Sequence, residues 1–132
     1  SIRGHILGKD GIFACALVVE MMARTRRPIS AMLADIRQRI GWLVSREINM
    51  PATPEMKILL QQRLAKTNVQ TIAGVPVTRL STTDGTKFYF PHDNWLLLRF
   101  SGTEPLLRIF CEADNEELAA AFVEWAQELV KV

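Results

Sequence analysis

The residues best suited to chemistry lie between Arg99 and Arg108. The segment between these two arginines holds two hydroxyl side chains, a glycine and a proline, namely Ser101, Thr103, Gly102 and Pro105. Guanidinium groups form paired hydrogen bonds with phosphate oxygens, and hydroxyls add further donors. These residues predict a binding site for a dianion such as a phosphate ester. A surface turn flanked by two solvated arginines fits the same residue types equally well.

The spacing of apolar residues places both arginines on one face of a predicted hairpin. Apolar side chains alternate at 96, 98 and 100 before the turn and at 107, 109 and 111 after it. Such alternation is typical of strands with one buried face. Arg99 and Arg108 are out of phase with it, so we expect them on the opposite face, on either side of the turn at 101–105.

The turn has features that suit an anion and one that does not. Gly102 is expected to let neighbouring backbone N–H groups converge into an anion-binding nest. Pro105 stiffens the end of the turn, because its ring fixes one backbone dihedral. Glu104 adds a negative charge, and a pairing between Glu104 and one of the arginines would orient that arginine.

The rest of the sequence predicts the elements that position this hairpin. Helices are predicted from Asp10 to about Arg24, from Ser30 to Gly41, and onwards from Thr53 and from Asp114, each starting at a residue that caps helices well. Strands are predicted at 42–50, 75–80, 87–90, 95–100 and 106–113, with a hairpin turn at Asp84-Gly85. The order is two helices followed by β-α-β-β-β-β-α. It predicts an α+β fold whose antiparallel sheet is covered on one face by two helices.

The first 40 residues differ from the rest of the chain. The segment 12–19 leaves almost no polar face, so the helix that contains it is expected to be buried on most sides. No strand is predicted before residue 42. We therefore expect residues 1–41 to be the helical end of a preceding domain and residues 42–132 to be a domain of their own. Without its native neighbours, helix 10–24 is expected to expose apolar surface and to self-associate.

The composition excludes several classes of protein. The chain has 132 residues, of which 48% are apolar and 23% are charged, which does not fit a disordered chain or a disulfide scaffold. The apolar run 12–19 is far shorter than the roughly 20 residues that a membrane span needs, so no membrane partner is expected. Cys15 and Cys111 both lie in apolar runs. We expect two buried, reduced thiols in a cytoplasmic protein.

Charge is distributed unevenly along the chain. Residues 1–40 hold seven basic and three acidic residues, a net charge of +4, whereas residues 41–132 hold nine and eleven, a net charge of −2. The basic cluster of Arg24, Arg26 and Arg27 follows a predicted helix, where cations interact favourably with the helix dipole. A nucleic-acid surface would need a broad basic stripe with aromatic residues among it, so we expect no nucleic-acid partner.

The segment Arg99–Arg108 resembles the phosphate-binding loop of the α-D-phosphohexomutases, the phosphoglucomutase/phosphomannomutase family. The last domain of that family carries the pattern Arg-x-Ser-[Gly/Asn]-Thr-Glu-Pro-x-x-Arg, which this segment matches throughout. The flanking segments 88–90, 95–98 and 108–113 are similar to that domain as well. The resemblance implies that residues 42–132 adopt a fold similar to the TATA-box-binding protein, which by itself says nothing about DNA.

The resemblance also implies a role for each part of the chain. The phosphate of the sugar that is not reacting would be bound by Arg99, Ser101, Gly102, Thr103 and Arg108. Residues 1–41 would be the remnant of the third, sugar-binding domain. Gly4-His5-Ile6 is similar to the end of the family's sugar-reading loop, which makes His5 a candidate sugar contact.

By the same resemblance the parent protein would be an isomerase of carbohydrate metabolism that interconverts hexose 1-phosphate and hexose 6-phosphate. It would use Mg²⁺ and pass through a hexose 1,6-bisphosphate, and its other domains would be partners of this chain. The chain holds neither the family's Ser-His nucleophile motif nor its aspartate-rich metal loop, so we assign it no catalytic or metal-binding residue and expect the isolated chain to be inactive. The alternatives are a phospho-ligand binding module without catalysis and a nucleic-acid-binding domain.

Overall fold

The structure is a computed structural model that describes residues 3, 4, 6, 8–66 and 69–131, with the backbone alone at 65 and 66. The chain divides into two compact units, Ser1–Trp42 and Leu43–Val132. The assignment of residues 1–41 to the end of a preceding domain stays a prediction.

The first unit contains helices α1 (Gly11–Thr25) and α2 (Ile29–Ile40). Asp10 caps α1 as predicted, because its carboxylate accepts a hydrogen bond from the backbone N–H of Phe13 at 2.9 Å. The cap predicted at Ser30 is wrong. Pro28 occupies the cap position of α2, and its carbonyl accepts from two backbone N–H groups of the first turn, so the helix starts before Ser30. Gly41 ends α2 with a φ of 86°, as predicted.

The basic cluster lies at the carboxyl end of α1, where the helix dipole favours cations. Arg24 is in the last turn and pairs with Glu20 at 2.7 Å, and Arg26 is the residue that ends the helix. Arg27 donates a hydrogen bond to Asp35 of α2 at 2.6 Å, which holds the pKa of that carboxyl below its usual range. Two of the three arginines thus have a carboxylate partner within the first unit.

Helix α1 exposes apolar surface, which confirms that expectation, and the expectation that it is buried on most sides is wrong in this structure. Neither α1 nor α2 has a buried residue, and Ile12 and Val19 are 87% and 65% exposed. The second helix of this unit, α2, cannot by itself cover a helix that is apolar on nearly all sides. The same reason corrects the prediction for Cys15, which is exposed, whereas Cys111 is buried as predicted.

Within the described residues, no helix combines the length and apolar character needed to cross a bilayer.

The two thiols are expected to differ sharply in reactivity. Burial raises the pKa of Cys111, whose thiol donates to the carbonyl of Ala119 at 3.6 Å, so little reactive thiolate forms there. We expect iodoacetamide at pH 8 to alkylate one thiol of the native chain quickly, and peptide mass spectrometry to locate it at Cys15. The Cys15→Ser variant should lose the fast reaction. Equal rates at both sites in the native chain would contradict the burial of Cys111.

The second unit is built on a five-stranded antiparallel sheet with two helices. The strands of the sheet are β1 (Val44–Pro51), β4 (Arg79–Ser81), β5 (Thr86–Tyr89), β6 (Trp95–Phe100) and β7 (Leu106–Ala113), and the helices are α3 (Pro54–Lys66) and α4 (Glu116–Val130). The strands are hydrogen-bonded in the order β1-β7-β6-β5-β4. This architecture confirms the predicted α+β class. The segment predicted as one strand at 75–80 is instead split. Its first part, β3 (Val75–Pro76), forms a separate two-stranded hairpin with β2 (Thr71–Ile72), and β4 joins the sheet.

One face of the sheet and both helices form a single core. Its fully buried side chains include Leu96, Leu98, Leu107 and Ile109 from the sheet and Phe122 from α4. Phe122 stacks on Phe90 with 4.4 Å between ring centroids. The core therefore fixes β6 and β7, the two strands that lead into and out of the loop at 101–105.

The cap predicted for α3 is present in the structure, whereas the cap of α4 is a different residue from the one predicted. Thr53 caps α3 as predicted, because its hydroxyl accepts from the N–H of Met56 at 3.3 Å. The cap predicted at Asp114 is wrong: Asn115 caps α4 by accepting from the N–H of Leu118 at 2.8 Å. The Asp114 carboxylate instead accepts a hydrogen bond from Asn94, a buried residue in the turn before β6. It therefore binds this turn and does not cap α4.

Candidate functional site

The loop at 101–105 joins β6 to β7 and is fixed by backbone hydrogen bonds. The N–H of Ser101 donates to the carbonyl of Leu106 at 2.8 Å and closes the base of the loop. The carbonyl of Pro105 accepts from the N–H of Ala52 at 2.8 Å, which ties the loop to the residue after β1. The position of the loop is thus set by three strands of the sheet.

Arg99 and Arg108 are directly opposite each other in the register of β6 and β7. The next pair along, Leu98 and Ile109, is 1% and 0% exposed and faces the core. The two arginines therefore lie on the opposite face of the sheet, as the alternation predicts. Opposed residues in antiparallel strands have Cβ atoms about 4.5–5.5 Å apart, and like charges there repel. This pair needs nearby negative charge.

Within the part of the chain that the structure describes, each guanidinium group has one carboxylate partner. Nε of Arg99 donates to Oδ1 of Asp84 at 3.0 Å, and Nη2 of Arg108 donates to Oε2 of Glu104 at 2.9 Å. The side chains of Arg99 and Arg108 remain 47% and 34% exposed. The pairing of Glu104 with an arginine confirms that prediction. The formal charges of these four side chains sum to zero.

Both guanidinium groups keep donors for a further acceptor. Among the described residues, the terminal nitrogens of Arg99 have no hydrogen-bond partner, since Asp84 takes only its Nε. Nε of Arg108 is buried and has no partner either. An unsatisfied buried donor costs about 1–3 kcal/mol, and more for a charged group. The donors open to the oxygens of an anion are the terminal nitrogens of Arg99 and Nη1 of Arg108, to which no described residue is hydrogen-bonded, whereas the buried Nε of Arg108 is enclosed.

The turn at 101–105 brings two backbone N–H groups together on a side chain of the turn itself. The backbone N–H groups of Thr103 and Glu104 converge on the hydroxyl oxygen of Ser101, at 3.4 and 3.3 Å. Gly102 does not adopt a positive φ, and a Cβ there would meet nothing within 4 Å. The predicted convergence of backbone N–H groups is thus present, with Ser101 as the acceptor, but the backbone conformation at 102 does not require glycine. Both N–H bonds are long, so a charged phosphate oxygen, which is a stronger acceptor, could compete for these donors.

Two further predictions concern residues away from the loop. His5, the candidate sugar contact, lies outside the described residues. Across the described ranges, no group of three or more His, Cys, Asp and Glu side chains is placed to hold a metal ion, so these residues do not fit the Mg²⁺ that the resemblance implies for the parent protein.

Asp84 is a neighbour of Arg99 that the sequence analysis does not identify, because the pair Asp84-Gly85 by itself indicates only a turn. The signal that could have found it is strand register. Thr86 pairs with Leu98, so the turn that precedes Thr86 must lie beside the next residue of β6, which is Arg99. The missed residue is thus 15 positions from its partner in sequence but in direct contact with it.

The fold and the loop define an α+β domain that offers two opposed arginines and two hydroxyls at one end of an antiparallel sheet. Residues 47–128 match the family described as "Phosphoglucomutase/phosphomannomutase, C-terminal domain". The chain belongs to this family, which confirms the resemblance seen in the sequence.

Curated relatives agree with this assignment. Over 126 residues the chain is 31% identical to a phosphoglucomutase/phosphomannomutase of Thermococcus kodakarensis, a match that covers 96% of this chain and 25% of that protein. It is 35% identical to a probable phosphoglucosamine mutase of Pyrococcus horikoshii over 95% of this chain and 26% of that protein. It is 32% identical to a phosphoglucomutase of Komagataeibacter xylinus over 80% of this chain and 20% of that protein. The chain thus spans about a quarter of the length of these relatives.

Proposed function

We propose that this chain binds the non-reacting phosphate of a hexose phosphate through Arg99, Ser101, Gly102, Thr103 and Arg108. The observation that carries the proposal is the direct opposition of Arg99 and Arg108 in the sheet register, next to a loop of small and hydroxyl residues. A phosphate dianion between the two guanidinium groups would offset their repulsion and satisfy their unused donors. The names of the relatives make phosphorylated hexoses the ligand class to test first.

For the whole protein we propose a cytoplasmic isomerase that interconverts hexose 1-phosphate and hexose 6-phosphate, in which this chain contributes positioning and charge neutralisation. In this proposal the remaining domains of the parent protein are the partners of this chain and supply the phosphoryl-transfer step and the Mg²⁺, and a hexose 1,6-bisphosphate is the intermediate. A clamp that contacts the phosphate and not the sugar suits this reaction, because the intermediate must present both of its ends in turn. The isolated chain is then expected to bind without turnover.

Titration of the ¹⁵N-labelled chain with glucose 1-phosphate tests the binding proposal. We expect the largest amide shifts at 101–104 and in the side-chain signals of Arg99 and Arg108, because these groups provide the donors. Inorganic phosphate should shift the same signals, and glucose without phosphate should shift none of them. Unchanged loop signals at millimolar phosphate, or equal shifts with glucose, would contradict a phosphate site here.

A further inference from the structure

The turn between β4 and β5 lies against Arg99. Oδ1 of Asp84, in this turn, accepts the hydrogen bond from Nε of Arg99 at 3.0 Å. A guanidinium group held by Nε alone keeps both terminal nitrogens, with four N–H donors, available for a second anion. The geometry of this ion pair therefore orients Arg99 without consuming the donors that a phosphate would use.

The backbone of the same turn is packed onto β6 at this position. A Cβ added to Gly85 would lie 2.6 Å from the carbonyl oxygen of Leu98 and 3.0 Å from the Cβ of Arg99. Gly85 also has a φ of 83°, which favours glycine. The close approach fixes the turn, and hence Asp84, relative to the Cα and Cβ of Arg99.

We propose that Asp84 is a positioning residue of the phosphate site, an inference that rests on the proposed function. Arg99 is half-exposed and stands opposite a second arginine, so repulsion favours conformations that turn it away from Arg108. Asp84 belongs to the turn between β4 and β5, on the side of β6 opposite to β7, and its carboxylate holds Nε there, so the Arg99 guanidinium takes one defined orientation in which no described residue binds its terminal nitrogens. Arg99 is then already ordered when a dianion arrives.

The sign of the effect separates positioning from simple electrostatics. Removing a negative charge close to an anion site should by itself strengthen phosphate binding. Loss of a positioning contact should weaken it, because Arg99 then has to be ordered by the ligand. The variant Asp84→Asn removes the charge with little change in shape, so the direction of its effect decides between the two.

The test measures inorganic phosphate affinity of the 132-residue chain and its variants by NMR. We expect Asp84→Asn to weaken binding about 3- to 10-fold, and the Nε–Hε signal of Arg99 to lose the shift that a carboxylate partner gives it. In an Arg99→Ala background the same change should no longer weaken binding, and the loss of the negative charge should leave affinity equal or slightly higher, whereas a general structural role would weaken binding in both backgrounds. Asp93→Asn removes the same charge from another exposed turn and should leave affinity unchanged.

A second variant keeps the charge and moves it. Asp84→Glu should retain the Arg99 Nε–Hε shift in part and bind phosphate with an affinity between those of the native chain and Asp84→Asn. Equal or tighter binding by Asp84→Asn, in a native chain that binds phosphate, would overturn the positioning role alone. A native chain that does not bind phosphate would overturn the proposed function, and the positioning role with it.

Discussion

Replacing Arg108 with alanine should weaken phosphate binding by this chain about 10- to 150-fold, because hydrogen bonds to a charged group contribute about 1.5–3 kcal/mol. Arg108 is the less exposed arginine of the opposed pair, and its buried Nε has no partner within the described residues. Its loss removes a positive charge and the N–H donors that stand opposite Arg99. Isothermal titration calorimetry with inorganic phosphate measures the change in affinity. The affinity of Arg108→Lys should lie between those of the native chain and Arg108→Ala, because an ammonium group keeps the charge but cannot form the paired hydrogen bonds of a guanidinium group.

Arg79→Ala is the matched control for this prediction. Arg79 also faces away from the core, but it lies on β4, three strands from Arg108, with its guanidinium carbon 3.6 Å from the centroid of the Tyr89 ring. Its replacement removes the same charge from the same face and should change affinity less than twofold. A comparable loss in both variants would mean that phosphate responds to the general charge of the sheet and has no site between the two arginines.

Phe122→Ala should lower the free energy of unfolding of the second unit by about 3–5 kcal/mol, the range found for large-to-small changes of aromatic core residues. Phe122 is completely buried and stacks on Phe90, so its removal leaves a cavity beneath α4. Small domains are stable by only about 5–15 kcal/mol in total, so this single change removes a large share. Urea unfolding followed by circular dichroism should show a lower midpoint at an unchanged slope.

Phe110→Ala provides the comparison on the other face of the same sheet. Phe110 lies on β7, paired with Leu97, and is only half-buried because it points away from the helices. Its truncation leaves no enclosed cavity, so the loss of stability should be clearly smaller than for Phe122→Ala. Equal losses would show that α4 does not cover the core as the structure describes.

The parts of this structure that follow a local pattern could be predicted from the sequence. Alternating apolar residues located β6 and β7 to the residue, and the same alternation placed Arg99 and Arg108 on the face away from the core. Capping chemistry correctly located the starts of α1 and α3. The sheet and its covering helices then followed from the order of these elements.

The parts that depend on distant neighbours could not be predicted in this way. The exposure of Cys15 depends on what surrounds α1, which no local pattern encodes. The choice of Asn115 over Asp114 as a cap depends on Asn94, which lies 20 residues away and holds the Asp114 carboxylate. The partner of Arg99 depends on the register between β5 and β6, which sets the Asp84 turn beside it.

The balance of charge at the loop has a consequence for the kinetics of binding. Because two arginines are offset by two carboxylates, a phosphate farther away than the Debye length of about 8 Å in physiological salt experiences little net attraction from these four side chains. These groups therefore give little electrostatic steering, which in other systems accelerates association and depends strongly on ionic strength. Discrimination between phosphate and other solutes then arises at contact, where the directions of the guanidinium N–H groups matter, and is expressed mainly in the dissociation rate.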